Sequence, residues 1–200
     1  MIKNVIFDIG NVLLDFSPIP YVESKIIKEK AEEVYNSIFK SEEWPMLDRG
    51  TITEEQAKLN IINRKVENEE LINLVFQNWY DILTPIESSI EILKKLKEKG
   101  YQIYYLSNFH LAAFEYVTKK HKFFESFDGG VVSYKEKLLK PENAIYEKII
   151  DTYNLDPQET VFIDDTKENV EAAIKLGLKG IILTDTNELK KELEKIDINI

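Results

Sequence analysis

Short apolar runs rich in β-branched and aromatic residues alternate with segments of helical period over most of this 200-residue chain. Val5-Ile6-Phe7 is wholly apolar and ends at Asp8 and then Gly10-Asn11, the pattern of a buried strand breaking into a turn. Gln102–Leu106, Thr160–Ile163 and Gly180–Leu183 repeat that design, each meeting polar or turn residues. Between them, Ile86, Ile90, Leu93 and Leu96 share one face of a helix predicted over Ile86–Lys99, bracketed by Pro85 and Gly100. Pro141–Tyr153, Glu168–Leu176 and Glu188–Lys195 are also predicted as helices, the last with a solvated Lys/Glu face. Strands and helices thus alternate from Pro85 onward, which predicts an α/β fold with a Rossmann-like, doubly wound, mainly parallel sheet.

The rhythm breaks between about Ile19 and Tyr80, where the pattern is helical throughout, with starts at Thr53-Glu54-Glu55 and Asn68-Glu69-Glu70. An α-helical cap over residues 17–83, inserted into a core formed by residues 1–16 and 84–200, is the expected organisation. Following the first strand directly, the insertion should sit over that strand's C-terminal end, where open α/β sheets bind ligands.

Hydrophobic residues make up 44% and charged residues 31% of the chain, a balance suited to a packed core. The net charge of −10 and a pI near 4.9 speak against nucleic acid, which needs a field of Lys and Arg. A small anionic substrate would need local positive charge from a metal, a lysine or a helix N-terminus. There is no cysteine, so thiolate metal sites and disulfides are excluded. Met1-Ile2-Lys3-Asn4 lacks the basic and long apolar regions of a signal peptide, and no apolar run could span a bilayer, so a cytoplasmic location is expected.

Four polar features fall at or just beyond strand ends: Asp8, Ser107-Asn108, Lys140-Pro141 and Asp164-Asp165. A doubly wound sheet can bring them to one crevice although nearly the whole chain separates the first from the last. A carboxylate such as Asp8 can attack phosphorus and form an acyl phosphate. Attack on a dianionic ester needs charge neutralisation, and the Asp164-Asp165 pair could hold a Mg²⁺ that supplies it. Lys140 and Ser107 could hold the non-bridging oxygens. Each feature has a structural reading as well. Asp8 could be a turn residue, Ser107-Asn108 a helix cap, Lys140 a surface lysine before a first-turn proline, and Asp165 with Glu168 a capping box. Their order, each at a strand boundary, favours one phosphoryl-transfer site.

On Asp8-Ile9-Gly10-Asn11-Val12, Leu106-Ser107-Asn108, Lys140-Pro141 and Phe162-Ile163-Asp164-Asp165 with Asn169, the chain resembles the haloacid dehalogenase superfamily over essentially its whole length. The resemblance implies that Asp8 is nucleophile and metal ligand, that the carbonyl of Gly10 and Asp165 complete the protein ligands, and that Asp164 assists. It also implies that Ser107, Asn108 and Lys140 bind the phosphate. Within the superfamily, the opening and closing motifs are most similar to those of small bacterial sugar-phosphate phosphatases, glucose-1-phosphate phosphatases in particular.

In one position the chain departs from the pattern. The family's usual second aspartate, a general acid and base, is replaced by Gly10. General acid–base catalysis is commonly worth about 10²–10⁴-fold, roughly 3–5 kcal/mol. A sugar 1-phosphate, with its more acidic anomeric leaving hydroxyl, would suffer less from the gap than an alkyl ester. His110 and Asp15 are candidates to help water lose its proton, against readings as a helix-surface histidine and a residue leading into a helix before Ser17-Pro18.

The same gap keeps open a metal-free 2-haloacid dehalogenase, although two adjacent carboxylates facing an anionic substrate argue for a metal site. A catalytically weakened member that binds phosphorylated ligands is a further alternative. A phospho-accepting receiver module fits less well, because its acidic pair comes first in the chain. Trp44, Trp79 and Tyr80 are candidates to stack on a sugar, or else the cap's own core. The expected partner is a small phosphorylated metabolite, with no nucleic acid or membrane, and the expected state is a monomer or weak dimer.

Overall fold

The computed structural model describes residues 1–199. The chain runs through β1 (Asn4–Phe7), β2 (Leu14–Asp15), five helices and then β3 (Thr84–Pro85). Those helices are α1 (Pro18–Lys25), α2 (Lys28–Phe39), α3 (Glu43–Asp48), α4 (Glu54–Arg64) and α5 (Glu69–Phe76). It continues through α6 (Glu87–Glu98), β4 (Gln102–Ser107), α7 (Leu111–Lys120), β5 (Gly129–Val132), α8 (Ser133–Glu136) and α9 (Asn143–Tyr153). It ends with β6 (Thr160–Asp164), α10 (Lys167–Lys175), β7 (Lys179–Ile182) and α11 (Leu189–Glu194).

Five strands form a parallel sheet in the order β5-β4-β1-β6-β7. The apolar runs of the central strands β1, β4 and β6 are buried on both faces, as the inner strands of a covered parallel sheet must be, whereas the edge strand β7 leaves Ile182 exposed. Val5, Phe7, Ile103, Val161 and Ile163 face the side covered by α6, α7 and α11, with Leu93, Val117 and Leu193 packed there. Ile6, Tyr104, Leu106 and Phe162 face the opposite layer, built on Ile145, Tyr146 and Ile149 of α9 and Ala172 and Ala173 of α10. The chain steps from β1 to β4 and β5 on one side, then returns to β6 and β7 on the other. That reversal leaves a crevice beyond the C-terminal end of β1.

β2 and β3 pair antiparallel, Leu14 with Pro85 and Asp15 with Thr84, and the Ile86 amide donates to the Leu13 carbonyl at 2.9 Å. The two crossings between the sheet and helices α1–α5 therefore run side by side as one short ladder. Thr53 caps α4 with a complete box: its hydroxyl accepts from the Gln56 amide, and the Gln56 side chain accepts from the Thr53 amide at 2.8 Å. Phe16, Phe39, Trp44 and Trp79 form an aromatic cluster, Phe39 and Trp44 centroids lying 4.7 Å apart.

Several polar contacts dock this helical layer on the loops after β5. Arg49 donates to the Glu142 carboxylate and to the Lys137 carbonyl, the Lys137 ammonium donates to the Gly50 carbonyl, and the Ser133 hydroxyl donates to the Asp48 carbonyl. Gly50 has φ +68°, and a Cβ there would stand 2.5 Å from the Tyr134 carbonyl oxygen, so the close approach needs glycine.

The structure moves several predicted elements. β7 begins and ends one residue earlier than the Gly180–Leu183 pattern, although the Leu183 amide still donates to the Asp164 carbonyl. Pro141 lies in a turn, and α9 starts at Asn143. β5 was hidden by its two glycines, which resemble a turn. They are needed because a Cβ at Gly129 would strike the Tyr153 ring and one at Gly130 the Tyr105 ring. α7, between β4 and β5, is a further helix beyond those the sequence pattern predicts. Among the described residues, no helix is long and apolar enough to cross a membrane.

Candidate active site

The strand ends at the crevice carry the residues singled out in the sequence. Asp8 follows the last residue of β1, its amide donating to the Ile163 carbonyl at 2.8 Å, so it sits beside the end of β6. Asp164 ends β6 and is fully buried, and Asp165 follows it at the rim. Carboxylate oxygens of Asp8, Asp164 and Asp165 lie within 4.8 Å of one another. Lys140 arrives from the turn before α9, 5% exposed, with its Nζ 2.8 Å from Asp8 Oδ1 and 2.6 Å from Asp164 Oδ2. It is therefore not a surface lysine.

Asp164 accepts from Lys140, from the Asn169 amide at 3.1 Å and from the Thr166 backbone at 2.8 Å. Its oxygens are thus occupied, and it orients the lysine. The capping-box reading of Asp165 does not hold. α10 is preceded by Thr166, whose side chain makes no capping bond. Asp165 Oδ2 instead accepts from the Asn11 carboxamide at 3.1 Å, while Asn11 Oδ1 accepts from the Phe16 amide. Asn11, in a left-handed conformation with φ 54°, ties the loop after β1 to Asp165 and to the backbone just beyond β2. In the sequence its only mark is its place in the first motif.

Burial, opposed by Lys140 and reinforced by the Asp164 charge, pushes the Asp8 carboxyl up to about 7. Burial also raises Asp165. Burial alone would lower Lys140, but the charges of Asp8 and Asp164 hold it above its ordinary range. Three carboxylates around one ammonium leave an excess of negative charge. The Asp8 Oδ1 atom, buried, lies near Lys140 yet off the line of a well-formed hydrogen bond. That donor set, hard oxygens with uncompensated charge, fits a small divalent cation held by Asp8 and Asp165.

Ser107, at the end of β4, is 1% exposed and its hydroxyl has no hydrogen-bond partner among the described residues. It is not a helix cap, since α7 starts at Leu111, and it stands close enough to Asp8 to favour that carboxylate's charged form. Asn108 is no cap either, since α7 begins at Leu111. Its carboxamide donates to the Lys140 carbonyl at 3.1 Å and accepts from the Lys140 amide at 2.9 Å, which fixes the lysine turn.

Next to Gly10 and Asn108 lies a cavity of about 120 Å³. Its polar lining is Gly10, Asp48, Asn108 and His110, and its apolar lining is Phe16, Trp44, Trp79, Leu83 and Phe109. Trp44 and Trp79 thus belong both to the aromatic core of the helical layer and to the cavity wall. Tyr80 is one step back, its ring 4.6 Å from Trp79 and its hydroxyl donating to Glu54. A Cβ built on Gly10 would have no neighbour within 4 Å, so the space beside it is open.

His110 is not a helix-surface residue. It precedes α7, is 4% exposed, and stands with Nδ1 3.4 Å from Asp48 Oδ1 and Nε2 3.6 Å from Glu54 Oε2. Asp48 and Glu54 were missed in the sequence, where they are two of many acids on helical surfaces. Asp15 is not brought to the cavity. It is an exposed rung of the β2–β3 ladder and accepts from the Ser17 hydroxyl at 2.9 Å.

The family model for haloacid dehalogenase-like hydrolases matches residues 2–177. The sesquiterpene phosphatase astK of Aspergillus oryzae is 28% identical over 194 residues, 97% of this chain and 96% of that protein. Enolase-phosphatase E1 of Aquifex aeolicus is 26% identical over 213 residues, spanning 90% of this chain and 89% of its own. Among solved structures, an aspartate-to-alanine mutant of the HAD family enzyme bt-2542 of Bacteroides thetaiotaomicron, in complex with magnesium and inorganic phosphate, superimposes with a TM-score of 0.74 at 26% identity. The match covers 91% of this chain and 94% of that one. The chain therefore belongs to the haloacid dehalogenase-like hydrolases, an enzyme with phosphatases among its relatives.

Proposed function

We propose that the protein is a magnesium-dependent phosphomonoesterase that works through an aspartyl phosphate on Asp8. The observation that carries this reading is the cluster of Asp8, Asp164 and Asp165 within 4.8 Å around the buried Lys140. Asp8 would attack phosphorus, while the Lys140 ammonium and the Ser107 hydroxyl hold non-bridging oxygens. Asp8, Asp165 and the Gly10 carbonyl would hold the Mg²⁺, and Asp164 would keep Lys140 in place. Bound there, the metal neutralises charge between the carboxylates and the dianionic ester.

The substrate is a small phosphorylated metabolite. A lining that combines the aromatic rings of Phe16, Trp44 and Trp79 with the polar groups of Asp48, Asn108 and His110 suits a ring that carries hydroxyls, and a hexose 1-phosphate is one such compound. The test is phosphate release from a panel of sugar phosphates and other monoesters, with Mg²⁺ or with chelator, beside Asp8→Asn. Release should require Mg²⁺ and fall to background in the variant. Equal activity in Asp8→Asn would remove the nucleophile, and activity indifferent to chelator would remove the metal.

A further inference from the structure

We infer that His110 is the general acid and base of this reaction, assembled for the role by Asp48 and Glu54 when the helical layer is closed over the sheet. The inference rests on the aspartyl-phosphate reading above. Its starting point is the gap at Gly10, where the family pattern places an aspartate and this chain has only backbone beside open space. His110, Asp48 and Gly10 line the same cavity. The ring comes from the loop after β4, whereas its two carboxylates come from α3 and from the first turn of α4.

The imidazole is buried, and its Nε2 has no hydrogen-bond partner among the described residues. Glu54 Oε2 is too far for one, at 3.6 Å, and is already engaged by the Trp79 indole N–H at 3.3 Å and by the Tyr80 hydroxyl. A buried ring nitrogen without a well-formed hydrogen bond, on the wall of the cavity that Gly10 and Asn108 share, is available for a proton transfer. The titratable groups facing the ring are Asp48, Glu54 and, through Glu54, Tyr80. Burial by itself would make His110 harder to protonate, but the two carboxylates outweigh it and hold its pKa above the ordinary value. Asp48 is fixed in turn, because its carbonyl accepts from Ser133 at the start of α8.

The proton balance closes over both halves of the reaction. As an Asp8 oxygen bonds to phosphorus, the bond from phosphorus to the leaving oxygen breaks and its electron pair stays on that oxygen. The imidazolium N–H then gives it a proton. In the second half the neutral imidazole takes a proton from water while the water oxygen attacks phosphorus. The bond from phosphorus to Asp8 breaks, and carboxylate, imidazolium and phosphate result. With this acid in place, the protein would serve ordinary alkyl phosphates and not only esters with acidic leaving groups.

The experiment compares kcat/KM for a simple alkyl phosphate and for p-nitrophenyl phosphate, whose leaving phenolate needs no proton. His110→Gln should lower the first by about 100-fold and the second by less than about threefold. Equal losses on both esters would overturn the assignment. Asp48→Asn keeps the ring but removes a charge that holds it protonated. The alkaline limb of the alkyl-phosphate profile should therefore move to lower pH, with no such move for the nitrophenyl ester. An unmoved limb would overturn the proposal even if His110→Gln did not fold. Absence of Mg²⁺-dependent turnover in the unsubstituted protein, or its survival in Asp8→Asn, would instead defeat the aspartyl-phosphate reading.

Discussion

Asp8 is under strain of an electrostatic kind before any substrate arrives. Its carboxyl titrates near 7 in the folded protein and near 3.8 in an open chain, because burial and the Asp164 charge outweigh the help of Lys140. Between those values the folded state holds a proton that the unfolded state has lost, so this group makes stability fall as pH rises. Thermal melts in chelator should show that fall between about pH 4 and about pH 7, a window set by the shift of Asp8. Asp8→Asn, which leaves Lys140 its Asp164 partner, should flatten it and melt several degrees higher at the upper end, about 2–4 °C per kcal/mol for a chain of this size. Parallel melting curves for the two proteins would mean that Lys140 already compensates the burial. Saturating Mg²⁺ should narrow the gap, since a bound cation favours the ionised carboxylate.

At the scale of elements, closure of helices α1–α5 over the sheet depends on a glycine more than on an ion pair. Arg49 and Glu142 are each more than a third exposed, and such a pair contributes less than about 1 kcal/mol. Gly50 combines a left-handed backbone with a 2.5 Å approach of any added Cβ to the Tyr134 carbonyl. A non-glycine residue held in that conformation costs about 1–3 kcal/mol, before the clash is counted. Gly50→Ala should therefore raise KM and speed protease cleavage near the β2–β3 ladder more than Arg49→Ala does. The reverse order would assign closure to the ion pair. Closure also bears on chemistry, because Asp48 and Glu54 reach His110 only from this layer.

At the scale of the whole molecule, the charge of −10 opposes the approach of a phosphate dianion, and the compensating positive charge is local and buried. Screening weakens the long-range repulsion more than the short-range contacts. At saturating Mg²⁺, kcat/KM for a dianionic ester should rise as ionic strength goes from about 10 to about 150 mM, across which the Debye length shortens from roughly 30 to 8 Å. A steady fall would show that the cavity mouth attracts anions despite the net charge.

Much of this was legible in the chain. The alternation of apolar runs and helical segments determined the parallel sheet, because strands buried on both faces must be apolar throughout. The order of Asp8, Ser107, Lys140 and Asp164-Asp165 at strand ends located the crevice, since that sheet topology converges its C-terminal ends. Local signals also placed the Thr53 cap of α4. They failed at β5, where Gly129 and Gly130 answer to the Tyr153 and Tyr105 rings lying over them, and at Asp15, which pairs with Thr84 in the β2–β3 ladder. What only the tertiary structure decided was the company each side chain keeps. Asp164 orients Lys140, Asn108 ties down its turn, and His110 meets Asp48 and Glu54 from helices that are distant in sequence. Burial and charge proximity set those roles, and both are properties of the packed molecule rather than of any local run of residues.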